Sequence, residues 1–279
     1  MKIAFLFLTR DDINFPNIWE KYFKGNENNY NIYFHPKNPE NVNTLWLKNN
    51  IIPTLVETGW GYIVNAYYHL LFYAYQNKEN IKFITISESC VPLRPFTELY
   101  DFLINDNPKT SYIRYMKLRE YEKEQRINSQ PNYEKLGVTF VKHYARFCLS
   151  RYHCKKIIKS RAMMKFFIKM HIGDEHFLSI LKNDKYIKNY EITFDNWEKV
   201  NDQVKKLKQK IWYLMDNNGS SDEIQKLKLI RDDIKKNPYT YTSITNNDII
   251  QASKSKAFFW RKMAKDNGID NNDLYNSII

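Results

Sequence analysis

The six residues His171-Ile-Gly-Asp174-Glu175-His176 hold the densest group of reactive side chains in the sequence. Two imidazoles and two carboxylates are zinc-ligand types, but an H-x-x-E-H metalloprotease motif would need one residue fewer. A carboxylate at a helix N-terminus can also act as a general base, because its surroundings tune its proton affinity. The same residues would make a plain helix start, with Asp174 capping and Glu175 favoured by the first-turn dipole. The spacing does not choose between these roles. A second group is the loop Ser87-Glu88-Ser89-Cys90, which follows an apolar run, the place where ligand sites of α/β proteins form. No Asp-x-Asp pair occurs in the chain, so a diphosphate ligand would need a cation other than a metal held by such a pair. Arg261 and Lys262, next to the aromatic run Phe258-Phe-Trp260, are candidates for that role, or simply two solvated charges. Cys90 and Cys148 could be nucleophiles, yet each sits in the apolar setting of an inert buried thiol. No G-x-S-x-G, G-x-G-x-x-G or P-loop is present, which disfavours hydrolases, dehydrogenases and P-loop kinases.

The elements that must position these groups can be read from periodicity. Ile3 to Leu8 is a continuous apolar run, the pattern of a strand covered on both faces. Pro16 to Phe23 reads as a helix ending at Lys24-Gly25, and Tyr30 to Phe34 as a second strand closed by His35-Pro36. Tyr62 to Gln76 is a helix, Ile81 to Ile86 a strand, and Phe96 to Ile104 a helix. Phe140 to Ser150 reads as extended, Arg151 to Met170 as helical, Glu175 to about Lys182 as another helix, and Glu191 to Phe194 as a short strand. This alternation implies an α/β fold with a largely parallel sheet. From Glu198 to Lys236 apolar residues recur at helical spacing on either side of Asn217-Asn218-Gly219-Ser220-Ser221. That pattern predicts a charged helical hairpin, at about 198–236, inserted into one domain spanning 1–279.

Composition sets the outer limits. The chain of 279 residues is 43% hydrophobic and 16% aromatic, too rich for disorder. Its formal net charge of +12 calls for an anionic partner, but the excess is spread along the chain and points to none in particular. Abundant Lys, Asn and Ile read as codon bias of an AT-rich genome, bacterial or viral. Three cysteines, an odd count without C-x-x-C pairing, suggest free thiols in a reducing compartment. The N-terminal run is shorter than the ~20 apolar residues of a membrane helix and lacks a cleavage site. A cytoplasmic protein with no membrane span is the expectation.

Seven blocks, in order, carry a resemblance. They are Lys2-Ile-Ala-Phe-Leu-Phe-Leu-Thr-Arg10, Trp19-Glu-Lys-Tyr-Phe-Lys-Gly25, Tyr30-Asn-Ile-Tyr-Phe-His-Pro36, Phe83-Ile-Thr-Ile-Ser-Glu-Ser-Cys-Val-Pro-Leu93, Asp174-Glu-His-Phe177, Ile192-Thr-Phe-Asp-Asn-Trp197 and Phe259-Trp-Arg-Lys-Met263. Together they resemble the core-2/I-branching β-1,6-N-acetylglucosaminyltransferases, particularly the plant and microbial branch, over nearly the whole chain except the hairpin. The resemblance implies a GT-A-type, Rossmann-like fold. It also implies transfer, with inversion and β linkage, from a UDP-sugar to a glycan or glycoconjugate hydroxyl. GlcNAc would be the first choice of sugar, with xylose or glucuronic acid as others. No divalent metal or other cofactor is implied. The matched block makes Glu175 the catalytic base and Lys262 the diphosphate ligand. A second basic residue of the family has no counterpart here. Tyr239 stands near that position, and Arg261 would share the role. His35 replaces a nucleoside-contacting Asp, with Arg10 on the same side. Phe194 replaces an acceptor-stacking Trp, and Glu88, Ser89, Asp174 and Trp197 would complete the pocket. No nucleic-acid partner is expected of such an enzyme, and the hairpin could serve a homodimer. The rival reading is an inactive relative that binds nucleic acid or a protein through the basic hairpin.

Overall fold

Along β1 (Lys2–Thr9) the side chains alternate between two cores: Ala4, Leu6 and Leu8 enter one, and Ile3, Phe5 and Phe7 the other. Each buried Leu, Ile or Phe side chain here contributes on the order of 1.5–3 kcal/mol, so both faces of the strand must be covered. The computed structural model describes residues 1–128, 130, 133–217 and 219–265. Asn218 of the expected hairpin turn, and residues 266–279 of the expected domain, lie outside these.

The elements continue as α1 (Pro16–Phe23), β2 (Tyr30–Pro36), α2 (Leu45–Lys48), α3 (Val64–Gln76), β3 (Asn80–Ser87), β4 (Val91–Pro92) and α4 (Phe96–Ile104). There follow β5 (Ser111–Met116), α5 (Glu120–Lys123), β6 (Lys142–Ser150), α6 (Arg151–Lys159), α7 (Arg161–Lys169), β7 (Ile187–Lys188) and β8 (Thr193–Asp195). The last are α8 (Trp197–Asp216), α9 (Ser221–Ile234), α10 (Asn246–Lys254) and β9 (Phe259–Arg261). The main sheet has the order β2-β1-β3-β6-β5-β7, and β6 alone runs against its neighbours. Helices α3, α6 and α7 cover one face, and α1 and α4 the other. This is the α/β arrangement with a largely parallel sheet that the alternating pattern implies, and the Rossmann-like character that the resemblance implies.

A second sheet, β4-β9-β8, holds the end of the chain against the loop after β3. Its own core, built on Val91, Tyr241, Trp260 and Met263 with Phe15 and Ile18 of the α1 region, fixes β9 in place. The hairpin is present as α8 and α9. Its root is tied to α10 by Lys199 Nζ to Asp248 at 2.8 Å and by Gln251 donating to Glu198 at 2.8 Å. Beyond Val204 and Ile211 it is open to solvent, and Trp212 is 77% exposed. Among the described residues no helix is long and apolar enough to cross a membrane.

Three sequence expectations fail here. Arg151 to Met170 is not one helix but α6 and α7, broken at Ser160, whose ψ of 39° cannot continue the α-helical hydrogen bonding. The helix expected from Glu175 to Lys182 is replaced by two short 3-10 turns, Gly173–Glu175 and Phe177–Leu181. Ile172 enters the first in the left-handed region (φ 58°), and His176 (φ −131°) separates the two. Gly173 is pressed against α7 so closely that a Cβ would lie 2.1 Å from the Phe167 carbonyl oxygen. Asp174 therefore caps nothing, and a three-residue turn offers Glu175 no helix dipole. The short strand before α8 is Thr193–Asp195 rather than Glu191 to Phe194.

Candidate active site

The turn that carries Glu175 is fastened to β6 by side-chain hydrogen bonds. His176 Nδ1 meets the Val141 carbonyl at 2.9 Å, Val141 N–H donates to Ser179 Oγ at 3.0 Å, and Leu178 N–H donates to His143 Nε2 at 3.2 Å. Both histidines are fully buried, and burial lowers their proton affinity, that of His143 to about 3. They act as neutral hydrogen-bonding pegs. Glu175 itself is partly exposed. Its Oε2 meets Arg126 Nη1 at 2.6 Å and Lys142 Nζ at 3.5 Å. Glu122 closes the network through Lys142 at 2.6 Å and Arg126 at 3.7 Å. Burial opposes ionisation of Glu122, but the Lys142 hydrogen bond and the two cations hold its carboxyl below the usual range. The Glu175 carboxyl is thus flanked by two cations and remains reachable from solvent.

A second group gathers where β9, the β3–β4 loop and the β1–α1 loop meet. Met263 N–H donates to Ser89 O at 3.0 Å, and Asn14 bridges Glu88 O at 2.9 Å and Met263 O at 2.8 Å. The register of β8 with β9 sets Asp195 beside Arg261, whose Nη1 lies 3.3 Å from Asp195 Oδ1. The backbone of Lys262 is held at both ends by the Tyr239–Tyr241 segment. Burial and the charge of Arg261 lower the proton affinity of the Lys262 amine, and Glu88 and Asp195 counter them. At the centre stands the buried hydroxyl of Tyr67. It donates to Ala145 O at 3.1 Å and accepts from Arg146 Nη1 at 2.9 Å. Arg146, Asp174 and Arg261 all act electrostatically on this hydroxyl, so the Glu175 turn and the basic end of β9 converge on one spot.

Among the described residues, Arg146 Nε, Arg261 Nε and Asp174 Oδ1 there are buried without hydrogen bonds, as is Trp197 Nε1 at the start of α8. Native proteins leave few such atoms, and a polar ligand would satisfy them. Burial, then the neighbouring Glu175, raises the Asp174 carboxyl to about 6.

The residues singled out from sequence are only partly brought together. Glu175, Asp174, Glu88, Arg261 and Lys262 share the site, where Asp195, given no role from sequence, pairs with Arg261. Ser89 is buried in the loop, and Phe194 and Trp197 lie half-buried where β8 runs into α8. His35 is fully buried at the end of β2. There its Nε2 accepts the Val56 N–H at 3.0 Å, and burial brings its pKa down to about 4. Arg10 is set apart, its side chain 78% exposed and 3.8 Å from Asp11. Arg126, Lys142 and Arg146 went unnoticed in the sequence. Lys142 and Arg146 left one signal there, two cations within the extended run Phe140 to Ser150. Glu191 left none; burial and then Asp195 push its carboxyl up to about 7. All three cysteines are free and buried. Among the described residues, no three His, Cys, Asp or Glu side chains are grouped so as to hold a metal ion.

Known proteins place this site in context. The family described as Core-2/I-Branching enzyme matches residues 3–219, from β1 through α8. The chain is similar to "Glycosyltransferase BC10" of rice (Oryza sativa subsp. japonica), at 29% identity over 121 residues. That match covers 40% of this chain and 30% of the rice protein, so it spans less than a third of that relative. Among solved structures, the apo form of mouse xyloside xylosyltransferase 1 aligns with a TM-score of 0.36 and 10% identity, over 70% of this chain and 88% of that one. The galactosyltransferase LgtC, in complex with donor and acceptor sugar analogues, aligns with a TM-score of 0.34 and 12% identity, over 69% and 75%.

Proposed function

The chain belongs to the Core-2/I-branching enzyme family, and from that premise we propose that it is an inverting glycosyltransferase of GT-A type using a UDP-sugar. The observation that carries this reading is the convergence of the Glu175 turn and the basic end of β9 around Tyr67. In the reaction, the Glu175 carboxylate takes the proton of an acceptor hydroxyl. The oxygen of that hydroxyl attacks the anomeric carbon from the face opposite the diphosphate. The bond from that carbon to the diphosphate oxygen breaks, and UDP leaves with the electron pair. One displacement inverts the centre and leaves a β linkage. Lys262, with Arg261 beside it, offsets the charge growing on the leaving group, the task a metal performs in other designs. GlcNAc is the first candidate sugar, then xylose or glucuronic acid, and the acceptor is a glycan or glycoconjugate. Asp174, Glu88 and Trp197 offer hydrogen-bonding groups to the bound sugars, and Phe194 offers a ring.

The test is UDP release from a panel of UDP-sugars, with and without glycan acceptors, in excess EDTA. One donor should give a β-linked product at an undiminished rate. Silence across the panel would overturn the activity. Loss on chelation with recovery on Mn²⁺ or Mg²⁺ would overturn the metal-free mechanism alone.

A further inference from the structure

Arg261 is a poor choice for the second diphosphate ligand. Its Nη1 faces both oxygens of the buried Asp195, at 3.3 and 3.5 Å, so a counter-ion already accompanies it. Arg146 differs. Among the described residues it forms no ion pair. Its Nη1 donates only to neutral oxygens, the Tyr67 hydroxyl at 2.9 Å and Ala145 O at 3.2 Å, and its buried Nε has no partner. Its position is set by the sheet. Thr85 Oγ1 donates to Ala145 O at 3.2 Å and accepts from Phe147 N–H at 3.0 Å, flanking Arg146 on both sides. That fixes Arg146 level with the C-terminal end of β3, at the edge where parallel strands of α/β proteins meet their ligands. Arg261 and Arg146 both act electrostatically on the Lys262 amine there, after the larger effect of its burial.

We infer that Arg146 is the second cation of the diphosphate site, binding the donor's phosphates together with Lys262 while Arg261 is held by Asp195. A guanidinium suits this task, because its planar fork can serve two phosphate oxygens at once. Tyr67 aims the fork by accepting from Nη1, which leaves Nε and the other terminal nitrogen for the ligand. This assignment rests on the UDP-sugar reading above.

The experiment compares UDP with uridine, which shares the base and ribose but carries no phosphate. Affinities are measured by calorimetry for the full chain, for Lys262→Gln as reference, and for Arg146→Gln. Arg146→Gln should weaken UDP about 10- to 100-fold, the size expected of charge-assisted hydrogen bonds to phosphate, and leave uridine within about twofold. A merely structural role would move both ligands together. If Arg146→Gln does not fold, Arg146→Met keeps the apolar stem, and the same loss of preference for UDP is expected. Should Lys262→Gln lose that preference while the Arg146 variant keeps it, Arg146 is not a phosphate ligand and the donor reading stands. Should the unaltered protein bind UDP no more tightly than uridine, the donor reading falls, and Arg146 with it.

Discussion

The two halves of the site are built on opposite principles. Around Glu175 every charge is answered, with Arg126 and Lys142 on the carboxylate and Glu122 behind them. Around Tyr67 Arg146 has no ion pair among the described residues, and buried atoms of Arg146, Arg261 and Asp174 lack hydrogen bonds there, although Asp195 faces Arg261. On the proposed mechanism, the counter-ions of the base belong to the protein, whereas a site for a charged ligand remains incomplete until the ligand supplies the missing partners. The contrast would then separate residues that prepare the reaction from residues that wait for the substrate.

The largest effect tests the answered half. Glu175→Gln keeps the shape but removes the base, and turnover should fall roughly 10²- to 10⁴-fold with UDP affinity unchanged. Near-normal transfer, measured as product formed per enzyme, would take Glu175 out of the mechanism.

The open half is sharpened by Asp174. Its folded-state value, about 6, lies above the ordinary 3.8. The protonated form is therefore the favoured one. Its stabilising contribution is complete below about pH 3.8 and is lost as pH rises through 6. Asp174→Asn should stabilise the unliganded protein at pH 7.5, by at most on the order of 3 kcal/mol, and change little at pH 4. Denaturant midpoints at the two pH values measure this. A variant destabilised at pH 7.5 would mean that Asp174 has a partner at that pH and that the open half is already closed.

The smallest effect is expected outside both halves. On our reading the hairpin is an insertion into a single domain. Its α9 buries no residue fully, and its Lys210–Glu223 pair at 3.2 Å is exposed. Replacing residues 205–230 by a short Gly/Ser linker should alter stability by only about 1 kcal/mol and leave transfer intact. Aggregated chain after this deletion would show that the hairpin belongs to the core. A native dimer that becomes a monomer would instead assign α8 and α9 to a contact between copies.

Local pattern decided much of this molecule. The run Ile3 to Leu8 could only be a strand buried on both faces, because its alternate residues had to find two separate cores. Phe96 to Ile104 and the two hairpin helices were likewise legible, since an amphipathic stripe is a property of consecutive residues. The Glu175 segment was not legible in this way. Its sequence suits a helix, but contact between Gly173 and α7 forces it into 3-10 turns, and that contact joins residues the pattern treats separately. The site divides along the same line. Glu175 and Lys262 stood out within short blocks that resemble a family, whose match over residues 3–219 reaches Glu175 but not Lys262. The roles of Arg146, Arg126 and Lys142 depend on which strand lies beside which turn. Whether a cation lacks an ion pair among the described residues, as Arg146 does, or has one, as Arg261 has with Asp195, depends on distances between elements far apart in the chain, and only the folded structure sets them.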